Sequence, residues 1–293
     1  MSGFDAPVRL GRTDLTVKRL GLAASYGATD KDVERAFERG IDFFYWGSAR
    51  RPAFGAGLKR LGARARSRLT VVVQSYARSS RSIGRSLESA LRELAFDHAD
   101  VLLLGWWNLP PSDAILDAAR ELVHRGRARA VMVSCHHRPT FAKLARDPRI
   151  DLLMLRYNAA HPGAERDVFP LLPAARPGMV AYTATSWGQL VDPRYLPPGE
   201  RLPTGSDCYR YVLSSPFVDA CWSGPKNAAE LDEALRALEL GPLAEDELAW
   251  LRRVGVKVRA EATTRGRGMD FADRLVNLWS GFGFRTTREL PRD

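Results

Sequence analysis

The side chains that could do chemistry in this 293-residue chain are phenols, amides, imidazoles and cations rather than acids. Tyr45 and Trp46 close an apolar run, with Arg50 just beyond them. Gln74 and Tyr76 close a second run, and Gly105, Trp106 and Trp107 follow a third. Ser134, Cys135, His136 and His137 follow a fourth; later runs end in Met154, Tyr157 and Asn158, in Tyr182, and in Ser223, Gly224 and Lys226. A phenol such as Tyr45 works as a general acid when a cation lowers its pKa, and Arg50 or Arg51 stands close enough in sequence to do so. Gln74 can hold that phenol, or a substrate oxygen, by a hydrogen bond. A pocket drawing on Trp46, Arg50, Gln74, Trp106 and His136 would take a small flat or apolar molecule. Plain packing is the competing account of Tyr45, Trp46 and the tryptophans, because aromatic side chains at strand ends are often structural. No carboxylate pair or metal-ligand cluster accompanies them, and adjacent His136 and His137 lack metal-site spacing.

These residues need a scaffold that brings the ends of many apolar runs together. Val8 to Val17 reads as two short strands around a turn, and Lys18 to Leu22 as a third strand. Thr29 with Asp30 and Asp32 predicts a helix start, Gly40 its end, and Ile41 to Phe44 the next strand. The alternation continues with strands at Leu69–Gln74, Val101–Leu104, Ala130–Ser134, Leu152–Leu155, Met179–Tyr182 and Val218–Trp222. Helices fall between them, from about Pro52, from Arg81 to Leu94, after Pro110-Pro111-Ser112, and through Phe141 and Leu144. Eight such strands from Lys18 onward, each followed by a helix or loop, predict a single (β/α)₈ barrel, with an N-terminal β-hairpin, an extra helix at Glu245–Val258 and a C-terminal extension from about residue 260. In that extension Phe271, Leu275, Leu278 and Trp279 could form a short helix packed on the barrel. A doubly wound open sheet is the alternative, but no glycine-rich dinucleotide fingerprint follows the first strand.

Composition narrows the class. Hydrophobic residues at 45% and charged residues at 27% are ordinary for a chain with a sizeable core. No apolar stretch reaches the roughly 20 residues of a membrane span. Neither a basic start nor an apolar stretch of signal-peptide type opens the sequence. Three cysteines without CxxC spacing argue against a disulfide framework or a zinc site, so a reducing cytoplasm is the expected setting. A net charge of +10 raises the question of nucleic acid, but the arginines are scattered and no aromatic platform or helix-turn-helix accompanies them. A small molecule is the expected partner. The oligomeric state stays open, with a monomer as the default.

Five stretches in order resemble aldo-keto reductases, from the N-terminal hairpin to about Leu238. Gly40-Ile41-Asp42-Phe43-Phe44-Tyr45-Trp46-Gly47-Ser48-Ala49-Arg50 matches the family's Gly-Ile-Asn-Phe-Phe-Asp-Thr-Ala segment. Leu87 to Leu94 with Asp100 to Leu104, then Gly126 to Ser134, then Ala181-Tyr182-Thr183, then Ser223-Gly224-Pro225-Lys226-Asn227 complete the series. The resemblance implies hydride transfer from NADPH to a carbonyl, with a tyrosine acid tuned by a lysine and an aspartate, and a histidine that orients the carbonyl. It also implies that those four positions hold Tyr45 (aspartate), Arg50 (tyrosine), Gln74 (lysine) and Gly105 (histidine), so the ordinary mechanism cannot run. On the cofactor side it implies that Ser134 meets the nicotinamide carboxamide, Tyr182 stacks on its ring, and Ser223, Gly224, Lys226 and Asn227 grip the phosphate end of NADP(H). The family's next Asn and nearby Gln fall on Cys135 and Met154, and its adenine-contacting Gln and Asn on Glu230 and Ala234. The expected function is an NADP(H)-binding oxidoreductase acting on a small organic carbonyl compound, with Tyr45 as the acid–base group. A non-catalytic protein that binds ligand or cofactor is the second expectation, and non-redox chemistry in the same pocket the third.

Overall fold

Alternation along short apolar strands sorts the hydrophobic side chains into two layers. The computed structural model describes residues 3–24, 26–47 and 51–264. After an antiparallel hairpin of β1 (Val8–Arg9) and β2 (Thr16–Val17), eight parallel strands form a closed ring. They are β3 (Leu20–Ala23), β4 (Phe43–Trp46), β5 (Thr70–Ser75), β6 (Ala99–Leu104), β7 (Ala128–Ser134), β8 (Leu152–Arg156), β9 (Gly178–Tyr182) and β10 (Ala220–Ser223). Their order is β10-β3-β4-β5-β6-β7-β8-β9, so the first and last strands of the ring pair directly. This is the expected TIM barrel. Phe43, Val72, Val101, Leu103, Met132, Leu152 and Val180 fill its interior, while Phe44, Val71, Val73, Leu102, Val131 and Leu153 face the helices. With both faces covered, the strands read as near-continuous apolar runs.

The helices are α1 (Asp30–Glu38), α2 (Pro52–Ala65), α3 (Ser80–Leu94), α4 (Asp113–His124), α5 (Phe141–Leu144), α6 (Ala164–Asp167), α7 (Gly205–Leu213), α8 (Ala228–Leu240) and α9 (Glu245–Thr264). Thr29 and Asp32 form the capping box that starts α1, as their spacing predicts. Helix α7 is absent from the sequence reading; its signal is the Thr204–Asp207 capping box. Helix α9 runs past the expected Val258, because Ala262 continues the buried stripe of Leu251, Val254 and Val258. Phe271, Leu275, Leu278 and Trp279 lie outside the described residues.

Strands β3 and β5 begin one or two residues later than expected, and β4 and β10 begin two residues later, at Phe43 rather than Ile41 and at Ala220 rather than Val218, with an aspartate before each of these two. These belong to a repeated device at the bottom of the barrel. Asp42 accepts the Lys18 N–H at 2.8 Å, Asp100 the Val71 N–H at 2.8 Å, Asp151 the Val131 N–H at 2.7 Å and Asp219 the Met179 N–H at 2.7 Å. Every second strand thus clips the strand before it through a carboxylate. Guanidinium groups offset the buried charge: Arg66 and Arg129 on Asp100, Arg120 on Asp151 and Arg176 on Asp219. The hairpin seals the same end, with Leu10, Leu15 and Val17 in the interior cluster. Gly11 makes this possible: its φ is +54°, and a Cβ there would fall 2.0 Å from the Gly178 nitrogen.

Candidate active site at the barrel mouth

With the bottom sealed, the C-terminal ends of the strands form the accessible face. Strand alternation decides which side chains reach it from inside. On β4, Phe43 and Tyr45 point inward while Phe44 and Trp46 point outward. Trp46 is therefore not a pocket residue. It is 1% exposed in the layer beneath α2, where its ring closes on Gly55 and its indole N–H donates to the Arg51 carbonyl at 3.3 Å. Arg50 lies outside the described residues.

Tyr45 and Gln74 meet as expected. The Tyr45 hydroxyl donates a short hydrogen bond to Gln74 Oε1. The Tyr45 ring lies 5.4 Å from that of Trp222, which stacks on Phe43 at 4.1 Å. Tyr76, itself 43% exposed, neighbours Tyr45 and meets the Trp106 ring edge-on at 5.2 Å. Gly105 leaves room for the Gln74 amide: a Cβ there would sit 1.9 Å from Gln74 Nε2. The expected arginine-stabilised phenolate is not what this arrangement produces. Burial, then the neighbouring phenols of Tyr76 and Tyr182, push the Tyr45 pKa well above that of an ordinary phenol. Among the described residues no guanidinium offsets them.

On the opposite side of the mouth, His136 Nδ1 is 2.8 Å from the Tyr182 hydroxyl. Burial, assisted by the Arg156 charge, pushes His136 down to about 4, so it is neutral at pH 7. Ser134 is turned to the scaffold: its Oγ accepts the Trp106 N–H and its carbonyl the Trp107 N–H, both at 2.8 Å. Trp106 has a φ of +57°, and after β9 Thr183, Ser186 and Trp187 have φ of +59°, +50° and +56°. Left-handed backbone at such residues costs of order 1–3 kcal/mol each and collects at binding sites. Buried Asn158 holds the β9 loop by donating to the Thr183 carbonyl at 2.7 Å. Cys135 is inert, its thiol pushed up to about 12 by burial.

Among the described residues, four buried polar nitrogens around this mouth, Gln74 Nε2, Trp222 Nε1, His136 Nε2 and Trp107 Nε1, lack a hydrogen-bond partner. Trp222 escaped the sequence reading, where it counted only as the end of a strand. The signal was its parity with Ala220, which also points inward.

Barrel order, hairpin and mouth can be set beside known structures. Aldo-keto reductase AKR11C1 from Bacillus halodurans, in its holo form, superposes with a TM-score of 0.73 over 85% of this chain and 95% of that one, at 20% sequence identity. The apo form of the same enzyme gives 0.70 at the same identity and coverage. The chain has the aldo-keto reductase fold. No family model matches its sequence.

NADP(H) is the cofactor that the sequence resemblance implies, and the side chains expected to grip its phosphate end do not fit it. The Ser223 hydroxyl donates to the Gly21 carbonyl at 2.8 Å, joining β10 to β3. The Tyr26 ring packs against Gly224, so close that a Cβ there would be 2.5 Å from it. Lys226 is exposed, and its backbone N–H donates to the Glu230 carboxylate at 2.9 Å. Asn227 accepts the Glu230 N–H, also at 2.9 Å, as the cap of α8. A carboxylate thus stands where the helix N-terminus would receive a phosphate, and two anions repel. Of the side chains expected at the nicotinamide, Tyr182 bonds His136 and Ser134 accepts the Trp106 N–H.

A separate cavity of about 260 Å³ lies in the helical shell between α6, α7 and α9, lined by Tyr157, Phe169, Tyr211, Phe217 and Leu248 among others. Its polar wall is Glu165, which accepts from the Tyr157 hydroxyl at 2.6 Å and from Arg252 at 3.0 Å. None of the side chains expected to bind cofactor or substrate lines it. Among the described residues no group of histidine, cysteine and carboxylate side chains could hold a metal ion. No described helix is long and apolar enough to cross a membrane.

Proposed function

We propose that the barrel mouth binds a small, neutral organic molecule of carbonyl type through hydrogen bonds, without activating it by acid–base chemistry. One observation carries the reading: the mouth has neutral, unpartnered donors beside a phenol whose pKa is raised rather than lowered. A general acid works best with a pKa near the working pH, and losing a positioned acid costs about 10²–10⁴ in rate. Tyr45 held by Gln74, with neutral His136 opposite, orients a polar ligand well and transfers protons poorly.

A second reading, the NADP(H)-dependent oxidoreductase, is supported by the similarity to an aldo-keto reductase in its holo form, by the position of Tyr182 and by the strained loops after β6 and β9. In that reading NADP(H) supplies the hydride. Tyr182 would support the nicotinamide ring, and Tyr45 would be the remaining phenol for the carbonyl oxygen. One experiment separates the two. The protein is titrated with NADPH and NADH by calorimetry, then assayed with each nucleotide against a panel of aldehydes and ketones. The binding reading expects neither nucleotide to bind below millimolar concentration and no turnover. Turnover that Tyr45→Phe slows at least about tenfold would overturn it in favour of the oxidoreductase.

A further inference from the structure

We infer that the cavity between α6, α7 and α9 is a second binding site, and that it takes a small arylalkyl ammonium ion. This site stands apart from the barrel mouth and does not depend on how the mouth is read. At about 260 Å³ the cavity is a little smaller than the sites of drug-sized molecules, which begin at about 300 Å³, so its ligand is small. Four aromatic rings line it. The Tyr157 ring lies 5.3 Å from that of Phe169 and 5.7 Å from that of Tyr211, and Phe169 stacks on Phe217 at 5.0 Å. Ring faces carry the negative lobe of the aromatic quadrupole, so such a wall favours a cation over an anion.

Glu165 adds a full negative charge to that wall, and its two oxygens are unequally used. Oε1 accepts the Tyr157 hydroxyl at 2.6 Å, the Tyr211 hydroxyl at 3.2 Å and Arg252 at 3.0 Å. Among the described residues Oε2 accepts only Arg252, at 3.2 Å. A carboxylate oxygen accommodates about two hydrogen bonds, so Oε2 has room for an ammonium N–H. Arg252 displays the preference of the site within the chain itself: its guanidinium pairs with Glu165 while lying 5.9 Å from the centre of the Tyr211 ring. That resident cation is replaceable. Its side chain is 53% exposed, and an ion pair so open to solvent contributes little. An incoming ammonium takes over Glu165, its aryl group packs among Phe169, Phe217 and Leu248, and Arg252 turns out to water.

Three probes that share one body test the assignment: 2-phenylethylammonium, 2-phenylethanol and phenylacetate. Each is titrated into ¹⁵N-labelled full-length protein, reading the backbone amides of Phe217 and Leu248 by NMR. The ammonium should shift both signals and bind at least about tenfold more tightly than the alcohol, with phenylacetate weakest of the three. Glu165→Gln keeps an acceptor for both phenols but removes the charge, and should bring the ammonium down to the affinity of the alcohol. Arg252→Ala removes the competing cation and should tighten the ammonium about threefold, a direction that damage to the fold would not produce. This variant lies at the solvent edge and serves if the first does not fold. An ammonium no tighter than the alcohol, signals of Phe217 and Leu248 that stay in place, unchanged affinity in folded Glu165→Gln, or weaker binding in Arg252→Ala would each overturn the inference. None of these results bears on the barrel mouth.

Discussion

Acidification from pH 7 to pH 4.5 should weaken the fold through two imidazoles near the β7–β9 side of the mouth. Burial, with Arg156 adding to it, pushes His136 from 6.5 down to about 4. Burial, with Arg156, Arg259 and Arg138, pushes His161 from 6.5 down to about 3. Asn158 and Trp187 also face His161, and Tyr182 faces His136, none of them anionic. Because both folded values lie below the unfolded one, the unfolded chain takes up protons first. The stabilisation is complete above about pH 6.5 and is lost as the pH falls toward the folded values. One pKa unit is worth about 1.4 kcal/mol, and pH 4.5 is two units below 6.5, so each imidazole accounts for on the order of 2.5 kcal/mol. Their sum approaches the lower end of the total stability of an ordinary domain, about 5 kcal/mol. Urea unfolding followed by tryptophan fluorescence at pH 7, 5.5 and 4.5 measures the loss. His98 shifts the same way through burial and Arg66, so His98→Gln is the control. A midpoint that stays flat across this range, or one that falls as steeply in a His136→Gln/His161→Gln double variant, would refute the reasoning.

Removing the Tyr45 hydroxyl with Tyr45→Phe should cost about 1–3 kcal/mol in chemical denaturation, since Gln74 Oε1 is left buried without its donor; an unchanged midpoint would show that the bond contributes nothing. Arg176→Ala should cost about 3 kcal/mol by stripping the bidentate partner, at 2.7 and 2.8 Å, from buried Asp219, and a loss under about 1 kcal/mol would mean that the Met179 N–H holds the carboxylate alone. Glu230→Gln should raise the affinity for NADPH while leaving NADH nearly unchanged, because it removes the charge at the start of α8. Calorimetry that finds no difference for NADPH would clear Glu230 as the obstacle. Lys226→Ala should change either nucleotide little, as the Lys226 contact with that carboxylate runs through its backbone N–H, which the variant keeps.

The barrel was legible in the sequence because both strand faces are buried, so each strand announces itself as an apolar run bounded by polar turns. Thr29 with Asp32, and the glycines at 40 and 126, marked helix ends for local reasons that need no tertiary knowledge. Strand starts were less legible. Asp42 and Asp219 bond across to neighbouring strands, which no local pattern reveals. At the mouth, residue identities pointed correctly to the Tyr45–Gln74 contact, and a count of alternating positions from Phe43 would have turned Trp46 outward. The orientation of Ser223 and the Lys226–Glu230 contact depend on neighbours 202 and four residues away, and only folding reveals that they are already committed. The tuning of Tyr45 was misjudged for a related reason. Proximity in sequence suggested a cation, whereas burial in the barrel sets its pKa.

The aspartate clips at the bottom of the barrel bear on how such a protein changes over time. Asp42, Asp100, Asp151 and Asp219 bind strand to strand two at a time, and none of them touches Tyr45, Gln74, His136 or Tyr182. Substitutions at the mouth therefore leave the fastening of the ring intact, and substitutions in the fastening are exposed to selection whatever the mouth does. A lineage can pass through forms with no useful chemistry without losing its folded state. The four clips repeat with a period of two strands, so damage to one leaves three in place. A chain built this way can depart far from its relatives at the mouth and still superpose on them through the ring.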